Sequence, residues 1–119
     1  MQNTYLRFLK FVNKLDETHP VGEVDTAARE LLNVISICHS EGHALTVTSA
    51  MKLNFLASPA TIHRKIEELK KRGLVSSVCK DGNNRTKYLV PTDLAYKRYE
   101  LIEEILTKKM MSKKIVLPD

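Results

Sequence analysis

At 119 residues, with 43% hydrophobic and 28% charged side chains, the chain is long enough for one compact domain and too evenly composed for a disordered tail or a fibre. Lysine and arginine number 19 against 14 aspartate and glutamate, a formal charge of +5 and a pI near 9.3. That excess favours a polyanion, either nucleic acid or an anionic membrane surface, although net charge alone selects neither.

From about Asn3 to Asp16, the residues Tyr5, Leu6, Phe8, Leu9, Phe11, Val12 and Leu15 recur at helical spacing. They cover too wide an arc for a helix that packs on one side only. A core or dimer helix and an amphipathic membrane-surface helix both fit that pattern. An aromatic-rich helix beside a globular domain ordinarily packs on protein, so Tyr5, Phe8, Leu9 and Val12 are assigned to a dimer contact and no membrane partner is expected. Arg7, Lys10 and Lys14 interrupt any signal-peptide core, and the apolar runs are too short to span a bilayer. The expected compartment is the cytoplasm, with Cys38 and Cys79 as reduced thiols and no assigned redox role.

Glu17 to Val24, with Pro20 and Gly22, reads as a loop. Asp25 caps a helix whose inward residues are Ala28, Leu31, Leu32, Ile35 and Cys38, ending near Gly42. Ala44 to Thr46 is a short extended piece, Thr46 or Thr48 caps a brief helix through about Leu53, and Asn54 to Ala57 is a tight turn.

The stretch that follows has the clearest boundaries. Ser58 is a good N-cap, Pro59 falls at the first helical position, and Ile62, Ile66 and Leu69 form one inward stripe. Lys70, Lys71 and Arg72 complement the negative helix end, and Gly73 supplies a left-handed stop. Leu74 to Cys79 then reads as a strand, Lys80 to Arg85 as a turn, and Thr86 to Val90 as the returning strand stopped by Pro91. Thr92 caps a last helix, about Asp93 to Met111. Its apolar residues form two groups: Leu94, Leu101 and Ile105, then Tyr99, Ile102, Leu106 and Met110. The tail from Ser112 is expected to fray.

A short helix, a tight turn, a longer helix and a hairpin make a winged helix-turn-helix, mainly α with a small β-hairpin wing, an α+β arrangement. Residues 1–24 are expected to be an N-terminal dimerisation helix and loop, 25–91 the DNA-binding domain, and 92–119 a C-terminal dimerisation helix and tail. With the isoleucine–leucine stripe buried, Ala60, Arg64 and Lys71 point outward, flanked by Thr61 and His63. Such a helix, 58–72, can enter a major groove with its N-terminal half leading. Glu67 and Glu68 would be repelled by phosphates and confine base contacts to roughly the first two turns. A plain solvated face explains each of these residues singly. It does not explain their pairing with the polar, cationic hairpin tip at 80–87, where Lys80, Asn83, Asn84, Arg85 and Lys87 lie together.

Arg64 suits bidentate readout of guanine, while Ser58, Thr61 and the helix N-terminus suit phosphate. Arg85 suits the minor groove or its phosphates, and a salt bridge to Asp81 that shapes the turn is equally compatible. At these positions the sequence resembles the MarR-type winged-helix regulators, from about Leu45 to Ala95. The resemblance rests on Ser58-Pro59-Ala60-Thr61-Ile62-His63-Arg64, on Leu69 with Arg72-Gly73-Leu74-Val75, and on Asn83-Asn84-Arg85. Pro91-Thr92-Asp93 stands where such proteins start their dimerisation helix. Asn83 departs from the acidic residue usual there, Pro91 from a leucine and Ala95 from a glycine, and the chain is short for that family. The resemblance implies a dimer with the recognition helix in the major groove and Arg85 at the wing tip.

The terminal helices carry more apolar surface than one small domain covers, with Tyr99, Ile102, Leu106 and Met110 joining the first helix in a homodimer contact. The expected partners are double-stranded DNA, in near-palindromic sites, and a second copy of the chain; any small-molecule effector stays open. Cys38, His39 and His43 approach a zinc-ligand pattern, but Gly42 ends the helix between the histidines and no fourth ligand is placed by spacing. Glu67/Glu68 and Glu103/Glu104 diverge around their helices and are no acid–base dyads. No metal, cofactor or enzymatic activity is expected. The alternative function is a winged helix used for protein interaction without specific DNA binding.

Overall fold

The computed structural model describes residues 3–80, 82 and 85–111. Helix α1 spans Thr4–Asp16, and the Asn3 carboxamide oxygen accepts from the Tyr5 and Leu6 amides at 2.8 and 3.1 Å. A single 3₁₀ turn, Pro20–Glu23, follows. The imidazole of His19 closes it: Nδ1 accepts from the Val21 amide at 3.1 Å, so Nε2 carries the proton and donates to the Leu94 carbonyl, also at 3.1 Å. Helix α2 (Thr26–Ser40) starts at Asp25, whose carboxylate accepts from the Ala28 amide at 2.9 Å. Helix α3 is brief, Val47–Ala50, and reciprocal bonds between Thr46 and Ser49 form a capping box at its start. Helix α4 runs Pro59–Lys71 from the expected Ser58 cap.

Strands β1 (Val75–Val78) and β2 (Tyr88–Pro91) pair antiparallel, with Val75 opposite Pro91 and Val78 opposite Tyr88. Both are shorter at the wing end than the alternation predicts. Leu45 extends the pairing by accepting from the Leu89 amide at 2.7 Å, beside a bridge between Thr46 and Tyr88. Pro91 does not stop the strand but ends it from within. Its missing N–H costs no rung there, because the next donor, the Thr92 amide, bonds the Leu74 carbonyl at 3.1 Å.

The core is built where α2 crosses α4 and β2. Leu31, Leu32 and Ile35 of α2 meet Ile62, Ile66 and Leu69 of α4, closed by Leu74 and Leu89 from the hairpin. Cys38 is only half-buried, at the end of the stripe that sequence periodicity assigned inward.

The C-terminal segment departs from the expected uninterrupted helix. Helix α5 spans Asp93–Glu104, and Ile105–Met111 continues as a π-helix of 7 residues. The wider π turn shifts later residues out of α-helical phase. Met110, expected at the dimer contact, is only 7% exposed within a single chain and has little surface to offer a partner. This segment packs against α1, where the Lys109 ammonium stands 5.3 Å from the centre of the Phe11 ring.

The buried residues of α5 fall in neither of its two apolar groups. Ala95 and Arg98 are buried, while Leu94 and Leu101 are exposed. Arg98 donates from Nε to Asp16 Oδ1 at 2.8 Å and from Nη2 to Oδ2 at 3.1 Å, a bidentate pair only 5% and 7% exposed. The loop above it has no spare room: a Cβ on Gly22 would lie 2.1 Å from the Asp16 carbonyl oxygen.

Candidate nucleic-acid interface

Three side chains at the start of α4 form a chain of hydrogen bonds. Ser58 Oγ accepts from the Thr61 amide at 3.3 Å and donates to Thr61 Oγ1 at 3.0 Å. Arg64 Nη2 donates to the same Thr61 Oγ1 at 3.0 Å. Thr61 Oγ1 therefore receives two protons, and its own hydroxyl hydrogen is directed elsewhere, a donor for an approaching anion. The Thr61 contact occupies one of the five guanidinium N–H donors of Arg64, whose side chain is exposed. Ala60, His63 and Arg64 are exposed and Thr61 half-buried, opposite Ile62, Ile66 and Leu69. The N-terminal backbone amides and the helix dipole add partial positive charge at the same end.

The cations of α4 divide into two sets. Lys65 pairs with Asp25 and, at 3.9 Å, with Glu68; Arg72 pairs with Glu23; Lys70 lies 3.7 Å from Glu67. Lys65 and Arg72 thus fasten α4 to the loop and cap ahead of α2, and the Lys65 ammonium holds the Asp25 carboxyl below its ordinary pKa, assisted by the Ala28 amide. Arg64 and Lys71 have no carboxylate partner among the described residues. Glu67 and Glu68 do not close that surface: both line an open groove of about 610 Å³ together with Arg64, Lys71 and Arg72. Their charges are partly offset by Lys70 and Lys65.

On the wing, Lys80, Arg85 and Lys87 are all exposed. The Lys80 ammonium sits 4.9 Å from the centre of the Tyr88 ring across the hairpin, which fixes its base while leaving the charge in water. Asn83 and Asn84, and Asp81 with its suggested Arg85 bridge, lie outside the described residues.

Of the residues expected at a dimer contact, Tyr5 is 64% exposed, as is much of its neighbour Leu6 at 62%. Leu106 is exposed, and Phe8, Leu9, Val12 and Ile102 are half-buried. Tyr99 has partners inside its own chain. Its hydroxyl donates to Asn33 Oδ1 at 2.9 Å, its ring meets Tyr96 edge-on, and burial pushes its phenol above the ordinary pKa. His39 is likewise engaged, with Nδ1 3.1 Å from the Tyr96 hydroxyl, and no cluster of three or more metal-ligating side chains occurs among the described residues.

Sequence reasoning missed the Asp16–Arg98 and Lys65–Asp25 contacts, because each joins residues distant along the chain and no local pattern announces them. It also gave no separate role to Phe55, which lies within the tight turn Asn54 to Ala57 before α4.

No protein-family model matches the chain, and no curated protein matches it. Solved structures do. A MarR protein from Peptoclostridium difficile is 21% identical, with a TM-score of 0.52, the alignment covering 100% of this chain and 78% of that one. The heme sensor protein PefR from Streptococcus agalactiae, in complex with heme, is 16% identical with a TM-score of 0.53, over 92% of this chain and 74% of that one. At such identities the likeness is one of fold. The chain has the winged-helix fold of a MarR-type protein.

Proposed function

We propose that this MarR-type winged helix is a transcriptional regulator that binds double-stranded DNA sequence-specifically as a homodimer. One observation carries the reading: the Ser58–Thr61–Arg64 chain of hydrogen bonds runs across the N-terminal end of α4, with Thr61 half-buried at its flank and Arg64 exposed on the side away from the buried stripe. A helix held in this way can lead with its first two turns into a major groove. There Arg64 reads a base edge, Ser58 and Thr61 meet phosphate, and Ala60 and His63 line the contact. Arg85, Lys80 and Lys87 place the wing against the adjacent minor groove or backbone. Asn83 and Asn84 belong to the same tip by sequence.

The homodimer is supported by the exposed apolar residues of α1 and of the C-terminal segment: Tyr5, Leu6, Leu101 and Leu106. Covering them with a second copy relates two recognition helices by a two-fold axis, about one DNA turn apart. On this reading residues 25–91 are the DNA-binding unit and the two terminal segments are the dimerisation elements.

Selection of bound duplexes from a random pool tests the reading. Two related half-sites in inverted orientation, about 10 base pairs apart, are the expected product. Recovery of no enriched sequence would contradict it and leave the winged helix as a protein-interaction module.

A further inference from the structure

The DNA contacts assigned above are polar or small, yet the helix-turn-helix carries one large apolar side chain in water. Phe55, in the turn between α3 and α4, is 74% exposed, more than Tyr5 or Leu6 on the terminal helix. The local fold holds it there. Leu53, Leu56 and Ala57 around it pack against the core, and the Leu56 amide bonds the Leu53 carbonyl at 2.9 Å, so the turn is pinned from below and Phe55 is turned outward. Phe55 stands three residues before the Ser58 cap, hence within about 11 Å of the leading end of α4.

Its surroundings say what kind of partner it meets. Its exposed neighbours along the chain, Lys52, Asn54 and Ser58, are polar, one of them a cation, and the α4 N-terminus three residues on adds partial positive charge, so the ring belongs to a segment with a polar, positively charged rim. A second copy of the chain would be matched by the apolar terminal helices, not by this rim. A duplex matches both parts: phosphates for the rim, and thymine methyls or deoxyribose faces for the ring.

We propose that Phe55 is an apolar DNA contact that packs against the duplex beside the groove entered by α4. The proposal rests on the DNA-binding reading and adds to it a residue that reads hydrocarbon where Arg64 reads hydrogen-bond acceptors. An uncharged contact strengthens binding without releasing counterions, so its signature differs from that of any lysine or arginine.

The test compares the full-length protein with F55A and F55L on a duplex recovered by selection, across a salt series. F55A is expected to bind about tenfold more weakly, F55L to recover part of the loss, and both to keep the salt slope and melting temperature of the unaltered protein. Replacing half-site thymines by deoxyuridine separates the two apolar sources. A penalty seen with the unaltered protein and absent with F55A assigns the ring to a methyl group; equal binding of both duplexes assigns it to deoxyribose. Unchanged binding by F55A, or a lost dimer in F55A, would overturn the proposal alone. Failure of the unaltered protein to bind any duplex would overturn it together with the DNA-binding reading.

Discussion

Arg64 is held by one hydrogen bond to Thr61, with no carboxylate to satisfy among the described residues, and that is the condition a base-reading arginine needs. Arg64→Ala is expected to cost about 1–3 kcal/mol on the selected site and little on unrelated duplex. Equal losses on both in an anisotropy titration would make Arg64 a phosphate contact. Lys65 illustrates the opposite use of a cation. Its bond keeps Asp25 ionised in the fold below the ordinary value of 3.8. The folded state thus binds fewer protons than the unfolded one near that pH. The resulting stability is present above about pH 4 and lost as pH falls through the lowered value. Asp25→Asn keeps a capping oxygen and removes the charge, so it should flatten the acid limb of a stability–pH curve below about pH 4. A side chain this exposed contributes at most about 1 kcal/mol at neutral pH. An unchanged acid limb would show that other carboxylates control it.

Among the secondary-structure elements, α4 was the most legible in the sequence, because every signal for it is local: a Ser58 cap, Pro59 at the first position, an apolar stripe of period 3.6 and Gly73 with φ of 73°. The terminal helices were legible as helices but not in their packing. Periodicity weighs apolar side chains and therefore overlooked Arg98, whose burial depends on Asp16 far away in sequence, and it cannot register a change from α to π winding. Of the candidate interface, the outward positions of α4 followed from the stripe, whereas the exposure of Phe55 required seeing Leu53 and Leu56 turned inward. The buried pair makes a strong prediction. Asp16→Asn leaves Arg98 uncompensated and should destabilise the fold by about 3–5 kcal/mol, while Asp16→Leu with Arg98→Met should recover most of that loss. Additive losses in denaturant unfolding would contradict a coupled pair. Gly22→Ala should also destabilise, because its Cβ has no room beside the Asp16 carbonyl.

For the molecule as a whole, the architecture separates a core centred on α2, α4 and the hairpin from a pairing of α1 with the π-helical segment that leaves apolar surface in water. Leu106→Glu, exposed in one chain, should leave monomer stability within about 0.5 kcal/mol and shift sedimentation from dimer to monomer. A monomer for the unaltered protein at micromolar concentration would remove the two-fold arrangement. The positive charge of α4 and the wing is the property on which the proposed DNA binding most depends, and salt reports it. With about 6–10 phosphate contacts, affinity for the selected duplex should fall roughly 10³–10⁵-fold between about 50 and 200 mM salt, linearly in log–log form. Affinity that stays constant across that range would show that the outward face of α4 does not meet a polyanion.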